Sequence, residues 1–110
     1  MDFEKIRKLV FEEYKKNGYY DKWEEARLIL AKYGIVGIVE LAEIGLIYTE
    51  LSEAMEEIRD SNDGKANIEL ADAIIRIMNF ASRREMDLET AIIKKHAINM
   101  TREKLHGRKI

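Results

Sequence analysis

The chain of 110 residues contains no cysteine and no proline, and only six glycines. Without cysteine there is no disulfide framework, no thiolate zinc site and no cysteine nucleophile. Without proline, and with Gly18, Gly64 and Gly107 standing at plausible breaks, long stretches of strong helix formers run uninterrupted. Neither sign of charge is in excess. The 19 Lys and Arg against 21 Asp and Glu leave a net charge of −2, which argues against a nucleic-acid polymer as partner, because phosphate contacts need a basic surplus. No apolar run approaches the roughly 18 residues of a membrane span, so no membrane partner is expected. The opening segment MDFEKIRKLVFEEYKK is charged throughout and has no signal-peptide apolar core, so the expected compartment is the cytoplasm. Strict apolar/polar alternation is missing, so strands are not indicated. Repeats and low-complexity tracts are absent as well.

What remains is an ordinary globular mixture, 46% hydrophobic and 36% charged, long enough to bury one core as a single helical domain over residues 1–110. The spacing predicts four helices. The first runs from about Asp2 to Lys16, with Phe3, Ile6, Leu9, Val10 and Tyr14 on one face, and Asn17-Gly18 ends it. The second opens at Asp21, whose carboxylate can cap it, with Glu24 in the capping-box position. It extends to about Arg59, with Gly34 and Gly37 as the places for a break or kink. Asp60 to Gly64 reads as a turn by composition. The third helix spans about Lys65 to Arg84. The fourth follows the N-cap Asp87 and reaches about Leu105, with Gly107 behind it. Short links between long helices imply antiparallel neighbours, hence an all-α, four-helix-bundle-like fold.

Two acidic pairs stand out, Glu50 with Glu53 and Glu69 with Asp72. On a helical wheel of about 100° per residue, Leu46, Ala54, Ile47 and Ile58 fall within about 80° of Glu50, which therefore sits among apolar neighbours. Glu53 and Glu57 repel each other at i,i+4 spacing. Around Asp72, the residues Glu69, Arg76, Asn79 and Arg83 form one narrow polar stripe on a third helix that is otherwise apolar around its circumference. Such a helix is buried on most sides, and in a short chain that suggests cover from partner subunits.

Glu53 lies seven residues before Asp60, and Glu69 five after Gly64. At about 1.5 Å rise per residue, an antiparallel hairpin brings the two pairs to comparable heights. Carboxylates crowded in a partly buried place repel unless protonated or neutralised, and a hard divalent cation suits an all-oxygen ligand set. The alternative is a pair of solvated acidic faces. An EF-hand is excluded, since counting from Asp60 puts Lys65 at its glycine position and Ala71 at its twelfth.

Residues 94 to 109 carry six Lys and Arg against the single acid Glu103. A basic run beside an acidic metal site is what a polyphosphate needs, although a helix end also favours cations through its dipole. The two histidines, His96 and His106, make no convincing general base. Tyr19, Tyr20 and Trp23 cluster at the start of the second helix, where they can stack a nucleobase or pack in the core.

The sequence Glu50-Leu-Ser-Glu53, then fifteen residues, then Glu69-Leu-Ala-Asp72 resembles the ExxE…ExxD motif of MazG-like nucleotide pyrophosphohydrolases, in the all-α NTP pyrophosphatase superfamily. The tail Lys95, Asn99, Arg102, His106, Gly107 resembles a K-x3-N-x2-R-x3-H-G ending of one subgroup, with Glu103 standing where proline is expected. Gly18-Tyr19-Tyr20-Asp21 is similar to that subgroup's G-W-W-D-like segment, with tyrosines where tryptophan is common. The resemblance covers roughly Gly18 to Lys109.

The resemblance implies hydrolysis of a nucleoside triphosphate between its α and β phosphates, yielding monophosphate and pyrophosphate, with Mg²⁺ as cofactor and Mn²⁺ as an alternative. It implies that Glu50, Glu53, Glu69 and Asp72 hold the metal. One of these carboxylates, with Glu50 and Glu53 foremost, or Glu57 beside them, would orient or deprotonate the attacking water. Lys95, Asn99, Arg102 and His106 would contact phosphate or ribose, with Tyr19 and Trp23 against the base. A homodimer or homotetramer completing the helical fold is implied too. The expected role is removal of non-standard or excess nucleotides. Within the same fold the alternative is a phosphoribosyl-ATP pyrophosphohydrolase-like enzyme. From another class it is a non-catalytic helical interaction or antitoxin-like module, which would need no metal.

Overall fold

A computed structural model describes residues 2–35 and 37–102. Five helices follow in order: α1 Phe3–Lys16, α2 Asp21–Ala31, α3 Gly37–Arg59, α4 Asp63–Arg83 and α5 Leu88–Thr101. No strand occurs among the described residues, so the all-α expectation holds. The helix count does not, because the stretch expected as one helix from Asp21 to Arg59 is two.

The reason for the break is Gly34. It adopts a left-handed φ of +69°, the Gly34 N–H donates to the Ala31 carbonyl at 3.2 Å, and the Ile35 N–H donates to the Leu30 carbonyl at 3.2 Å. This pair of bonds is a Schellman cap, which uses up the last helical carbonyls and turns the chain away. The same pair closes α1 at Gly18, α3 at Ser61 and α4 at Glu85. Ser61 and Glu85 hold φ of +57° with a side chain attached, a conformation that costs a non-glycine residue about 1 kcal/mol or more. The turn expected over Asp60 to Gly64 is therefore present in its first half, made by Ser61. Gly64 lies inside the first turn of α4, behind the N-cap Asn62, whose side chain accepts from the Lys65 N–H at 3.1 Å.

Two further boundaries are corrected. Asp21 is the first residue of α2 and not its cap; the N-cap is Tyr20, which has no capping side-chain bond. Asp21 turns toward Gly18 instead, where an added Cβ would lie 2.9 Å from its Oδ2. The last helix ends at Thr101, with Arg102 extended, and the expected end at Leu105 falls outside the described residues. Asp87 caps α5 as expected, accepting from the Thr90 N–H at 3.1 Å and its hydroxyl at 2.7 Å.

Helices α3 and α4 form the main packed pair, α1 lies on α4, α2 touches α3 lightly, and α5 makes only sparse contacts. The core is built of Tyr20, Val39, Ile47, Ala54, Ala66, Ala73, Met78 and Ala81. Four of these are alanines, which lets the α3 and α4 backbones approach closely. Much apolar surface is left open. On α3, Leu41, Tyr48, Leu51, Met55 and Ile58 are all exposed, alternating steps of three and four once the half-buried Ile44 is included. That is the spacing of a coiled-coil seam. On α4, Ile68, Leu70, Ile74 and Ile77 are exposed. The Cα radius of gyration is 17.0 Å, against about 13 Å for a compact domain near this length. Among the described residues no helix is long and apolar enough to cross a membrane.

Candidate metal centre

The antiparallel α3–α4 hairpin brings the acidic pairs together. Carboxylate oxygens of Glu50, Glu69 and Asp72 all lie within 4.8 Å of one another. Glu50 is buried, at 9% exposure, while Glu69 is half-buried and Asp72 exposed. The cluster thus has one deep carboxylate and an open side. Glu53 joins it through Glu69. Hydrogen bonds that the protonated Glu69 carboxyl donates to Glu53 first, and then to Glu50, raise its pKa from the ordinary range to about 7, with desolvation and the charges of both neighbours adding to this. Crowding of this kind is what a divalent cation relieves, because it replaces one shared proton with a doubly charged partner for several oxygens. Glu57, one turn beyond Glu53, is not among the clustered groups.

One cation is already in contact with the cluster. Arg76, one turn after Asp72, places its Nε 3.1 Å from Glu50 Oε1 and donates from Nη1 to the Tyr19 hydroxyl at 2.9 Å. Arg76 therefore links the buried carboxylate to the aromatic segment at the start of α2. Tyr19 packs edge-on against Tyr14 and Tyr20, at centroid separations of 5.0 and 5.3 Å. Beside it, a narrow slot is lined by Tyr19, Tyr20, Trp23, Glu43, Leu46, Arg76, Asn79 and Phe80. Of the expected aromatic pair, Tyr19 also lines a small cavity with Asp72 and Arg76, whereas Trp23 lines only the slot, which none of the clustered carboxylates enters.

A second polar layer supports α2. Arg83 pairs with Glu43 and lies 5.2 Å over the Tyr20 ring. Arg27 Nε reaches Glu40 Oε1 at 3.0 Å, and Arg84 is 3.9 Å from the same oxygen. Burial raises the Tyr20 hydroxyl's pKa and lowers that of Arg83, so the phenol stays neutral.

The basic row behaves differently. Lys95 and Asn99 share a shallow groove of about 420 Å³ with His96, Leu88, Ala91 and Ile92, all of them α5 residues. None of the clustered carboxylates lines it. Arg102 is exposed at the end of α5, and His106 lies outside the described residues. A cavity of about 520 Å³ is also elsewhere, between Glu4 and Arg7 of α1 and the α4–α5 connection. Its Arg7 is held by both Glu4 oxygens at 3.1 Å and by Ser82 at 3.0 Å.

Sequence reasoning did not assign Arg76 or Asn79 a place in the site. The signal for both was the narrow polar stripe around Asp72. A polar residue on the face of a helix that also carries ligands is more than a solubilising group when the rest of the helix is apolar. Comparison with protein-family models, with curated proteins and with solved structures finds no match to this chain.

Proposed function

We propose that the chain is a metal-dependent nucleoside triphosphate pyrophosphohydrolase of the MazG-like kind, cleaving between the α and β phosphates. The observation that carries the reading is the convergence of Glu50, Glu69 and Asp72 from two helices, at positions matching the ExxE…ExxD pattern. The residues fit a hard divalent cation, Mg²⁺ or Mn²⁺. Oxygen ligands are supplied from both sides, one of them buried, and the open side leaves room for substrate and water. Glu50, Glu69 and Asp72 would hold the ion, with Glu53 in reach through Glu69. A bound divalent ion lowers the pKa of water and offsets phosphate charge. Glu53, exposed beside Glu69, is the best placed base; Glu57 is a turn further away. Tyr19 and Trp23 would flank the base, and Arg76, between them and the carboxylates, would meet phosphate.

The reading includes assembly into a homodimer or homotetramer. The seam-like apolar stripe on α3 supports it, because isolated bundles rarely leave such a surface open. A second copy is also a means of bringing the Lys95, Asn99 and Arg102 row to the carboxylates. Supplying nucleoside triphosphates with Mg²⁺ and scoring pyrophosphate against orthophosphate tests the activity. Pyrophosphate release supports it. Failure to bind Mg²⁺ by calorimetry, together with no turnover, favours a non-catalytic helical module instead.

A further inference from the structure

Asn79 is 4% exposed, and its side-chain oxygen has no hydrogen-bond partner. An unsatisfied buried amide destabilises a fold, and an apolar residue of similar size would serve packing better. Its surroundings show what it faces. The slot it lines holds about 20 Å³, room for a single water as it stands. Tyr19, exposed, and Trp23, half-buried, belong to the wall contributed by the α1–α2 junction, and Leu46 and Phe80 contribute apolar surface. The acid in the slot, Glu43, is already paired with Arg83. Apart from Arg76 and the paired Glu43, the lining is aromatic, apolar or amide, which suits a flat neutral ring and not a phosphate.

The register along α4 adds a second argument. Asp72, Arg76 and Asn79 stand at i, i+4 and i+7, so they share one helix face. Two helical turns, about 10 Å, separate the metal-cluster residue from the amide. That is comparable to the reach from the α-phosphate to the base of an extended nucleotide, with Arg76 in between.

We propose that Asn79 is the base-reading residue of the site: with Trp23 turned outward, a nucleobase enters the slot beside Tyr19 and offers an N–H to the Asn79 side-chain oxygen. This rests on the reading of the chain as a nucleotide hydrolase and adds which contact selects the base. Stacking on aromatic rings is tolerant of base identity, because every base has a π-face. Of the two buried, unpartnered polar groups in the slot, the Tyr20 hydroxyl and the Asn79 side-chain oxygen, the amide oxygen is the one that accepts from an N–H on a base edge.

Trp23 is the only tryptophan, so its fluorescence reports the slot directly and without turnover. Triphosphates of the four common bases are titrated in Ca²⁺, and their turnover is ranked in Mg²⁺, for wild type, Asn79→Leu and Asn79→Ala. In the wild type, Trp23 emission changes saturably and the bases differ in affinity. In Asn79→Leu the preference for the favoured base falls by about tenfold or more, the loss of one buried hydrogen bond. Its melting temperature holds or rises, as expected when a buried unpartnered amide is replaced. Asn79→Ala shows the same loss of preference without depending on how leucine packs.

Two results overturn the proposal while leaving the hydrolase reading intact. In one, pyrophosphate is released but Trp23 does not respond. In the other, the wild-type ranking is flat or survives in both folded variants, which means that Asn79 only holds a bound water. Absence of pyrophosphate release from every nucleotide refutes the hydrolase reading itself, and the base-reading role falls with it.

Discussion

Helix α4 buries five residues against its neighbours, whereas α5 buries none among the described residues. Both helices carry motif residues, so the contrast bears on how a site is built. Glu69, Asp72, Arg76 and Asn79 ride on a helix whose alanines hold it against α3, and their positions are set by packing within one chain. Lys95 and Asn99 ride on a helix that meets little beyond its own connection, with Arg102 just past its end, and Ile92, Ile93, Ile98 and Met100 stay exposed along it. Crowded carboxylates repel one another, and the packed α3–α4 hairpin holds them together against that repulsion. Lysine and arginine side chains are long, so a helix bearing them can dock afterwards.

The largest effect is expected from neutralising a single carboxylate of the hairpin. Asp72→Asn or Glu53→Gln should reduce turnover by more than the 10- to 100-fold typical of lost outer partners of metal ligands. Helical content should be unchanged, and apo stability should hold or rise as repulsion is relieved. Circular dichroism with a pyrophosphate assay checks both, and wild-type turnover in either variant removes that residue from the metal site.

On the assembly side, Met55→Glu places a charge in the exposed α3 seam, away from the carboxylates. Light scattering should show a dimer or larger species for wild type at micromolar concentration and the 12.9 kDa monomer for the variant, with activity falling alongside. A wild type that is monomeric would leave the seam without a partner copy.

For α5 itself, Arg102→Ala should weaken nucleotide binding in Ca²⁺ by roughly 10- to 150-fold, corresponding to about 1.5–3 kcal/mol for a charged hydrogen bond, while metal binding is spared. A change below about twofold by calorimetry would detach the α5 row from the substrate.

The raised Glu69 carboxyl gives the hairpin a pH signature. Its folded pKa, about 7, exceeds the ordinary 4.5, so the native state binds the proton more tightly than the unfolded one. The resulting stabilisation is complete below pH 4.5 and is lost as pH rises through 7. Thermal melts in chelator should show the melting temperature declining over that window from this group, and saturating Mg²⁺ should flatten the decline. Equal slopes with and without metal would separate the cluster from metal binding.

The smallest effect concerns the helix ends. Ser61→Gly or Glu85→Gly should stabilise the fold by up to about 1 kcal/mol, since glycine adopts the left-handed cap at little steric cost. Chemical denaturation reads it, and the Ser61 variant reports on the hairpin where Glu85 reports on the α5 junction.

Helix content, the Asp87 cap and the meeting of the two acidic pairs followed from local pattern, because 3.6-residue periodicity and turn composition act over a few neighbours. The break at Gly34 was visible only as one of two places. The turn holding Ser61 was legible by composition, but not that Ser61 would take the left-handed position, and Glu85 carried no signal, because neither residue is the glycine that such a cap favours. Arg76 and Asn79 were legible as part of a polar stripe, but what the stripe faces was not.

The sequence by itself determined an all-helical chain and four carboxylates at a spacing that one tight hairpin can gather, because both depend on rise and angle per residue. Packing of the helices was needed to show that Glu50 is buried against Arg76, that Glu69 gathers with Glu50 and Asp72, that Asn79 faces an aromatic slot, and that α5 stands apart from the carboxylates. Those relations join residues as many as 57 positions apart, as in the Arg76–Tyr19 bond, and only close packing of separate helices brings such partners to hydrogen-bond distance.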